Sequence, residues 1–255
     1  QNMINLAAGL AQCGHKVYCY AMAPFLVFRC FEQIKVTLAT MDQPVTLLGV
    51  GAGFSYDDAG PTHYAVDDLG AMRSLPNIEI ITPCDDFSVK ACVDLTLNKP
   101  AFRYIRLDRK PLPDFHEDTK AWNKGIVELE KGEEVLVLSN GYMMQKAASL
   151  VKVLKSRGIS AGLADMHRIK PIPTAALAAV TNKYQKLICI EEHVLEGGSG
   201  EMLAQAMAQK PKPMLSIALP NRPFPENGGR EYVHKLAGLD VEAMTSRSLN
   251  FLELS

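Results

Sequence analysis

Short apolar runs bounded by glycine, proline or charge recur along the chain, and between them lie longer stretches whose apolar positions return every three or four residues. The spacing predicts a helix over Asn2 to Gln12, with Met3, Leu6, Ala7 and Leu10 on its apolar side, then a short buried strand over Lys16 to Ala21. A longer amphipathic helix follows over Phe25 to Met41, ended before Pro44. Val45 to Val50, Ile78 to Thr82 and Ala101 to Leu107 read as strands, Asp85 to Leu97 as a helix, and Gly51 to Thr62 as a glycine-rich loop. This alternation predicts an α/β fold with a largely parallel sheet and helices on both faces. Asp108 to Gly132, rich in proline and charge, reads as a linker. A second α/β unit follows, with strands at Glu134 to Ser139, Ile159 to Asp165, Leu187 to Glu191 and Met214 to Ala218. Its helices fall near Met143 to Ser156, Pro173 to Asn182 and Gly200 to Ala208. Beyond Pro220 the chain reads as tail-like, with short helices at Arg230 to Ala237 and Val241 to Phe251. Two consecutive α/β domains are therefore expected, over 1–115 and 125–255.

Composition narrows the class. The 255 residues are 47% hydrophobic and 22% charged, which excludes disorder, collagen and coiled coil and allows sizeable cores. The net charge of -1 gives no basic field for nucleic acid or an anionic membrane, so small molecules or proteins are the expected partners. Six cysteines lie mostly in apolar segments without CxxC pairs or Cys/His clustering at zinc spacing, which predicts a reduced, cytoplasmic protein with no metal ligands of its own. No apolar run approaches the roughly 20 residues of a membrane span, and the start lacks a basic leader. The first helix opens without a capping residue, from which further residues upstream are expected.

In open parallel sheets ligands bind beyond the carboxyl ends of the strands, so chemistry is sought in the loops that follow them. Gly51 to His63 carries glycines for close backbone approach, two acids and a histidine that titrates near neutrality; it reads either as a ligand loop or as an ordinary long loop. Phe25, Phe28 and Phe31, at i, i+3 and i+6, make either a core stripe or a stacking platform for a flat ring. Arg103 and Arg106 interrupt a buried strand, as anion-binding guanidinium groups or as salt-bridge partners. Glu191 to Gly200 joins a strand end to a glycine-rich helix start, suited to an anion or to tight packing.

In order and approximate spacing, Gln1 to Leu10 (QNMINLAAGL), Pro24 to Phe31 (PFLVFRCF), Asp58 to His63 (DAGPTH) and Arg73 to Ile78 (RSLPNI) resemble the pyrimidine-binding domain of the transketolase family. Glu191 to Gly200 (EEHVLEGGSG) resembles that family's carboxy-terminal domain, so the likeness spans essentially the whole chain. The resemblance implies a thiamine diphosphate enzyme that moves a two-carbon ketol unit from a ketose phosphate to an aldose phosphate. It assigns Phe25, Phe28 and Phe31 to the aminopyrimidine, with Phe28 as the stacking residue. His63 falls at the family histidine near the substrate hydroxyls, as catalytic and substrate-binding residue, and Arg106 at a sugar-phosphate arginine, with Arg103 and Asp58 as further substrate contacts.

Departures from the family pattern shape the expectation. The sequence has no Gly-Asp-Gly, the motif that holds the diphosphate through Mg²⁺ in that family, so the diphosphate and Mg²⁺ site is expected on a separate amino-terminal subunit. The family's activating glutamate would sit immediately before Gln1. Ala59 replaces the aspartate that usually precedes Gly-Pro-Thr-His, and no histidine stands near Gly51. The likeness thus implies the carboxy-terminal half of a split transketolase, active only with its partner subunit and self-associating. An enzyme similar to 1-deoxy-D-xylulose-5-phosphate synthase is the rival within the class, because Arg103-Tyr-Ile-Arg106 resembles that family's Arg-Tyr-Pro-Arg. A β-type subunit of a 2-oxo acid dehydrogenase shares the same architecture, and a non-catalytic partner subunit is the rival outside the class.

Overall fold

The structure, a computed structural model, describes residues 1–117 and 119–254. Helix α1 (Asn2–Gln12) leads to strand β1 (Val17–Met22), helix α2 (Ala23–Val27), a single turn α3 (Phe31–Gln33) and strand β2 (Val45–Val50). Helix α4 (Asp68–Arg73), strand β3 (Glu79–Ile81), helix α5 (Asp86–Asn98) and strand β4 (Arg103–Leu107) complete the first unit. The four strands run parallel in the order β1-β2-β4-β3, with Val17 opposite Val45 and Thr46 opposite Arg103. Val45, Leu47 and Val50 are buried because helices cover both faces of a parallel sheet. Helix α5 starts at a reciprocal cap: Ser88 N donates to Asp85 Oδ1 at 2.7 Å and Asp85 N to Ser88 Oγ at 3.0 Å.

After helix α6 (Thr119–Trp122) come strands β5 (Val127–Glu130), β6 (Val135–Ser139), β7 (Ala161–Asp165), β8 (Arg168–Lys170), β9 (Lys186–Val194) and β10 (Met214–Leu219). All but β8 form the second sheet, in the order β10-β9-β6-β7-β5, parallel except for β5 at the edge. Helices α7 (Met143–Ser156), α8 (Thr174–Thr181), α9 (Ser199–Ala206), α10 (Arg230–Ala237) and α11 (Val241–Leu254) accompany it. Strand β8 leaves its own unit and pairs antiparallel with β3, adding a fifth strand to the first sheet. No helix among the described residues is long and apolar enough to cross a membrane, and all six cysteines are free.

Four expectations need correction. Helix α1 buries Ile4, Ala7, Ala8 and Ala11, the narrow side that lets it lie close to the sheet, and leaves Met3, Leu6 and Leu10 outside. Phe25 to Met41 is not one helix. It breaks over residues 28–30 and resumes as α3 and a π-helix (Ile34–Thr40), in which Thr37 Oγ1 and Thr40 Oγ1 donate back to the carbonyls of Gln33 and Lys35 and compete with the main-chain ladder. The linker stretch contains α6 and β5. The region beyond Pro220 is no tail, since Phe224, Val233, Leu239 and Met244 are buried in the second core.

The two units meet where glycine permits contact of backbones. A Cβ on Gly197, whose φ is +74°, would lie 2.3 Å from Gly70 Cα in α4, and Arg73 Nη1 donates to the carbonyls of Gly197 and Gly198 at 2.6 and 3.0 Å. Because both sides of that contact are main chain, Gly197→Ala should cost about 2–4 kcal/mol in urea unfolding from crowding and left-handed strain. Gly9→Ala, in the open middle of α1, should instead gain roughly 0.5–1 kcal/mol.

Candidate active site

The pairing of β2 with β4 continues past the strands: the Gly51 and Ala52 amides donate to the Leu107 carbonyl at 2.9 and 3.1 Å, and Gly53 and Ala65 exchange both hydrogen bonds at 2.9 Å. The loop from Gly51 is thereby folded over the carboxyl edge of the first sheet, and a short 3-10 turn (Pro61–His63) presents His63. The imidazole meets the Phe25 ring edge-on, with centroids 5.0 Å apart, and stands 5.8 Å from the Tyr56 ring. Its Nδ1 is 2.9 Å from Thr62 Oγ1. The Arg109 guanidinium lies 4.8 Å over the other neighbour, Tyr56, and donates from Nη1 to Asp58 at 2.9 Å and from Nη2 to Asp57 at 3.4 Å. Along one edge the protein therefore places apolar rings, a proton carrier and an anion holder. A cleft of about 290 Å³ lined by Asp57, Lys110, Tyr142 and Arg230 opens beside them.

The predicted residues take different positions on this edge. Phe25 packs on His63, while Phe28, just past α2, is 44% exposed and offers its ring to solvent. Phe31 packs against the first core. The three rings do not form one platform, because the chain breaks between them. Asp58 reaches the edge as the partner of Arg109. Arg106, on β4, is committed beneath it: Nε donates to both Asp68 oxygens at 3.1 and 2.9 Å and Nη2 to the Ala65 carbonyl at 2.7 Å. Tyr104 also donates to Asp68, at 2.7 Å. Arg103 opens β4 at its amino end and, by strand alternation, projects to the opposite face from Arg106, where it pairs with Glu79. Of the two readings the sequence leaves open for Arg103, the structure shows the salt-bridge partner, at the end of the strand away from the candidate site.

Reading the sequence misses Arg109, because the linker is begun at Asp108. The signal is its place two residues beyond a strand end, where the same rule that selects the glycine-rich loop applies. The sequence also hides the charge cluster under the edge. Arg230 from α10 donates to Glu192 Oε1 at 2.8 Å, to Glu192 Oε2, and to Asp108 Oδ2 at 2.6 Å, with its guanidinium 3.4 Å over the Tyr142 ring. His234 Nε2 lies 2.5 Å from Glu192 Oε1, and Lys146 Nζ 2.6 Å from His234 Nδ1. Burial alone would raise the Glu192 carboxyl, but Arg230 and His234 outweigh it and hold it well below the ordinary range. Gly53, at φ +58°, makes room for this carboxylate, since a Cβ there would fall 1.9 Å from Oε2.

Two five-stranded, mostly parallel sheets, with rings, imidazole and guanidinium gathered at the carboxyl edge of the first, define a two-unit α/β protein of the class that binds its ligand at strand ends. The models of known domains place it further. The pyrimidine binding domain of transketolase matches residues 1–114 and the C-terminal domain of transketolase matches 124–244. The chain belongs to the transketolase family. It is 30% identical over 99% of its length to one of the subunits of the apulose-4-phosphate transketolase of Phocaeicola vulgatus, covering 81% of that protein. It is 29% identical to the 1-deoxy-D-xylulose-5-phosphate synthase of Caldanaerobacter subterraneus, with 98% of this chain and 40% of that protein covered. Among solved structures, a split-gene transketolase in the form of an inactive beta4 tetramer superposes with a TM-score of 0.88 at 26% identity, over 99% of this chain and 82% of that one. The make-up is that of the carboxy-terminal subunit of a split, thiamine-diphosphate-dependent transketolase.

The Glu191 carboxylate, next to Glu192 in β9, closes the start of α9 by accepting from the Ser199 and Gly200 amides at 2.5 and 2.8 Å, so this glycine cluster serves packing. Burial outweighs those bonds and raises its carboxyl to about 7. The unfolded chain loses that proton near the ordinary glutamate value, so between about pH 4.5 and 7 the folded chain holds more protons and its stability falls as pH rises. Compared by urea unfolding at pH 5 and pH 7, the native chain should lose about 1–3 kcal/mol relative to Glu191→Gln; parallel profiles would mean the two amides keep the group ionised.

Proposed function

We propose that the chain acts as a transketolase only when joined to a subunit that carries the diphosphate and Mg²⁺ site, the two together moving a two-carbon ketol unit between sugar phosphates. The observation that carries this reading is the edge formed by Phe28, Phe25, His63 and Arg109 on a chain similar to subunits of split transketolases over 81–82% of their length. An exposed ring beside a sheet edge suits a flat aminopyrimidine, so the residues present fit one end of thiamine diphosphate. The apolar residues left outside on α1, Leu6 being 62% exposed, support association with a partner or a second copy. The cysteine pattern supports a reduced compartment such as the cytoplasm.

Thiamine diphosphate, when bound, supplies the carbanion that breaks and forms the C–C bond beside a ketose carbonyl. The protein's part is placement and proton movement. Phe28 would hold the cofactor ring by stacking. His63, wedged between Phe25 and Tyr56, is held at one angle and exchanges a proton with a substrate hydroxyl. Arg109 takes the sugar phosphate once it leaves Asp57 and Asp58, above Arg106, which holds Asp68 and the Ala65 carbonyl through Nε and Nη2. The substrate phosphate thus competes with two carboxylates, and binding opens this corner of the loop.

The chain with its diphosphate-binding partner, thiamine diphosphate and Mg²⁺ should release glyceraldehyde 3-phosphate from xylulose 5-phosphate plus ribose 5-phosphate, and neither chain alone should. Phe28→Ala should raise the cofactor concentration for half-activity roughly tenfold, and His63→Ala should lower kcat by about 10²-fold or more. Arg109→Ala should raise KM for the phosphorylated donor with little change for an unphosphorylated ketose. Turnover of pyruvate instead would move the reading toward the 1-deoxy-D-xylulose-5-phosphate synthase type, and absence of cofactor binding by the pair toward a non-catalytic subunit.

A further inference from the structure

A second cluster of titratable groups lies beyond the ends of β3 and β7, made of residues the candidate active site does not use. Asp85, which caps α5, accepts from the Phe115 and His116 amides at 2.8 and 2.9 Å and lies 2.9 Å from His116 Nδ1. His167, just after β7, stacks on Trp122 at 4.6 Å between centroids, and its Nε2 lies 2.8 Å from the Trp122 carbonyl. Each imidazole thus has one nitrogen tied to an oxygen on the outside and turns the other inward, toward Asp165. His167 Nδ1 is 3.0 Å from Asp165 Oδ2. His116 Nε2 is 3.1 Å from the same oxygen but without alignment for a hydrogen bond, and Asp165 Oδ1 has no hydrogen-bond partner. The side chains of His116, Asp165 and His167 are at most 1% exposed.

Fully buried polar atoms left without partners are uncommon, and two of them facing one another among imidazoles leave donors for a bound water or ion. An imidazole whose far nitrogen is fixed by a carboxylate or a backbone carbonyl is the arrangement in which histidine ligates metal. We propose that His116 Nε2, His167 Nδ1 and the Asp165 carboxylate form a three-ligand site for a divalent transition metal of the zinc or cobalt class, joining the linker to the second unit. Donors about 2.0–2.1 Å from a tetrahedral ion stand about 3.3 Å apart, so the two nitrogens, now 3.1 and 3.0 Å from Asp165 Oδ2, need to move only a few tenths of an ångström for that oxygen to act as the third donor. Entry is by way of the linker, where Asp114 and Glu117 on either side of the His116 segment are exposed.

The test uses the full chain carrying Cys13→Ser, which removes the exposed thiol, treated with chelator and titrated with Co²⁺. Saturable visible absorption at one cobalt per chain, without a thiolate charge-transfer band, is expected. Thermal unfolding should rise by roughly 5–10 °C at about a hundredfold excess over Kd. His167→Gln should abolish the band, and Asp85→Asn, which keeps an acceptor for the α5 cap but weakens the hold on the His116 segment, should weaken binding about 10–100-fold. Absence of a saturable band, a band unchanged in His167→Gln, or affinity unchanged in Asp85→Asn overturns the site. A thiolate band in this background would move the ion to Cys84, whose Sγ is 3.8 Å from His116 Nδ1, and overturn the ligand set.

Discussion

The buried Glu192 carboxylate is the constraint on which the rest of the arrangement depends. It lies in the second unit, yet its charge is compensated by Arg230, which also pairs with Asp108 at the end of β4 in the first. A charge taken out of water is tolerated only when its lone pairs and protons find partners, so separating the two units would leave Glu192 with Arg230 and His234 but take Arg230 from Asp108 and Asp57. That requirement fixes α10 over the loop from Gly51 and fixes the loop over the sheet edge. Arg230 N also donates to Asp57, the same carboxylate that meets Arg109, so the path from structural cluster to candidate site is one side chain long.

The division of labour among the arginines follows from this. Arg103, Arg106 and Arg230 are buried and paired within the protein, with no shortage of acids around them. Arg109 is partly exposed and bound to Asp58, which is 69% exposed, and to Asp57, which is 16% exposed; the pairing with Asp58, in high dielectric, contributes little and can be exchanged. Guanidinium groups of identical chemistry are thus separated by their depth into buried struts and a partly exposed ion pair.

The edge is built from pieces that no single element supplies. Phe28 comes from the break after α2, His63 from a 3-10 turn, Tyr56 from the loop and Arg109 from the end of β4. Such a site keeps its geometry only while the second unit presses on it from behind, which accords with a family in which the pyrimidine-binding and carboxy-terminal domains match consecutive parts of this chain.

The alternation of apolar runs and helical spacings in the sequence was sufficient for two α/β units, for β2 and α7 at their observed limits, and for the glycine-rich loop as the place to look. Those are local properties, set by the period of side-chain burial along one element. The edge strands were not legible: β5 alternates with glutamates and β8 is three residues long, and β8 becomes a strand only because β3 has a free edge to pair with. The roles of Phe31, Arg103 and Arg106 were undecided at the level of residue type, since a ring or guanidinium serves core and ligand alike. Only the tertiary structure placed them, by setting which neighbours are in reach: Glu79 and Asp68 for the two arginines, the first core for Phe31. The His116, Asp165 and His167 cluster was invisible for the same reason, because residues separated by a linker and a whole strand-helix-strand unit carry no spacing signal until the chain folds.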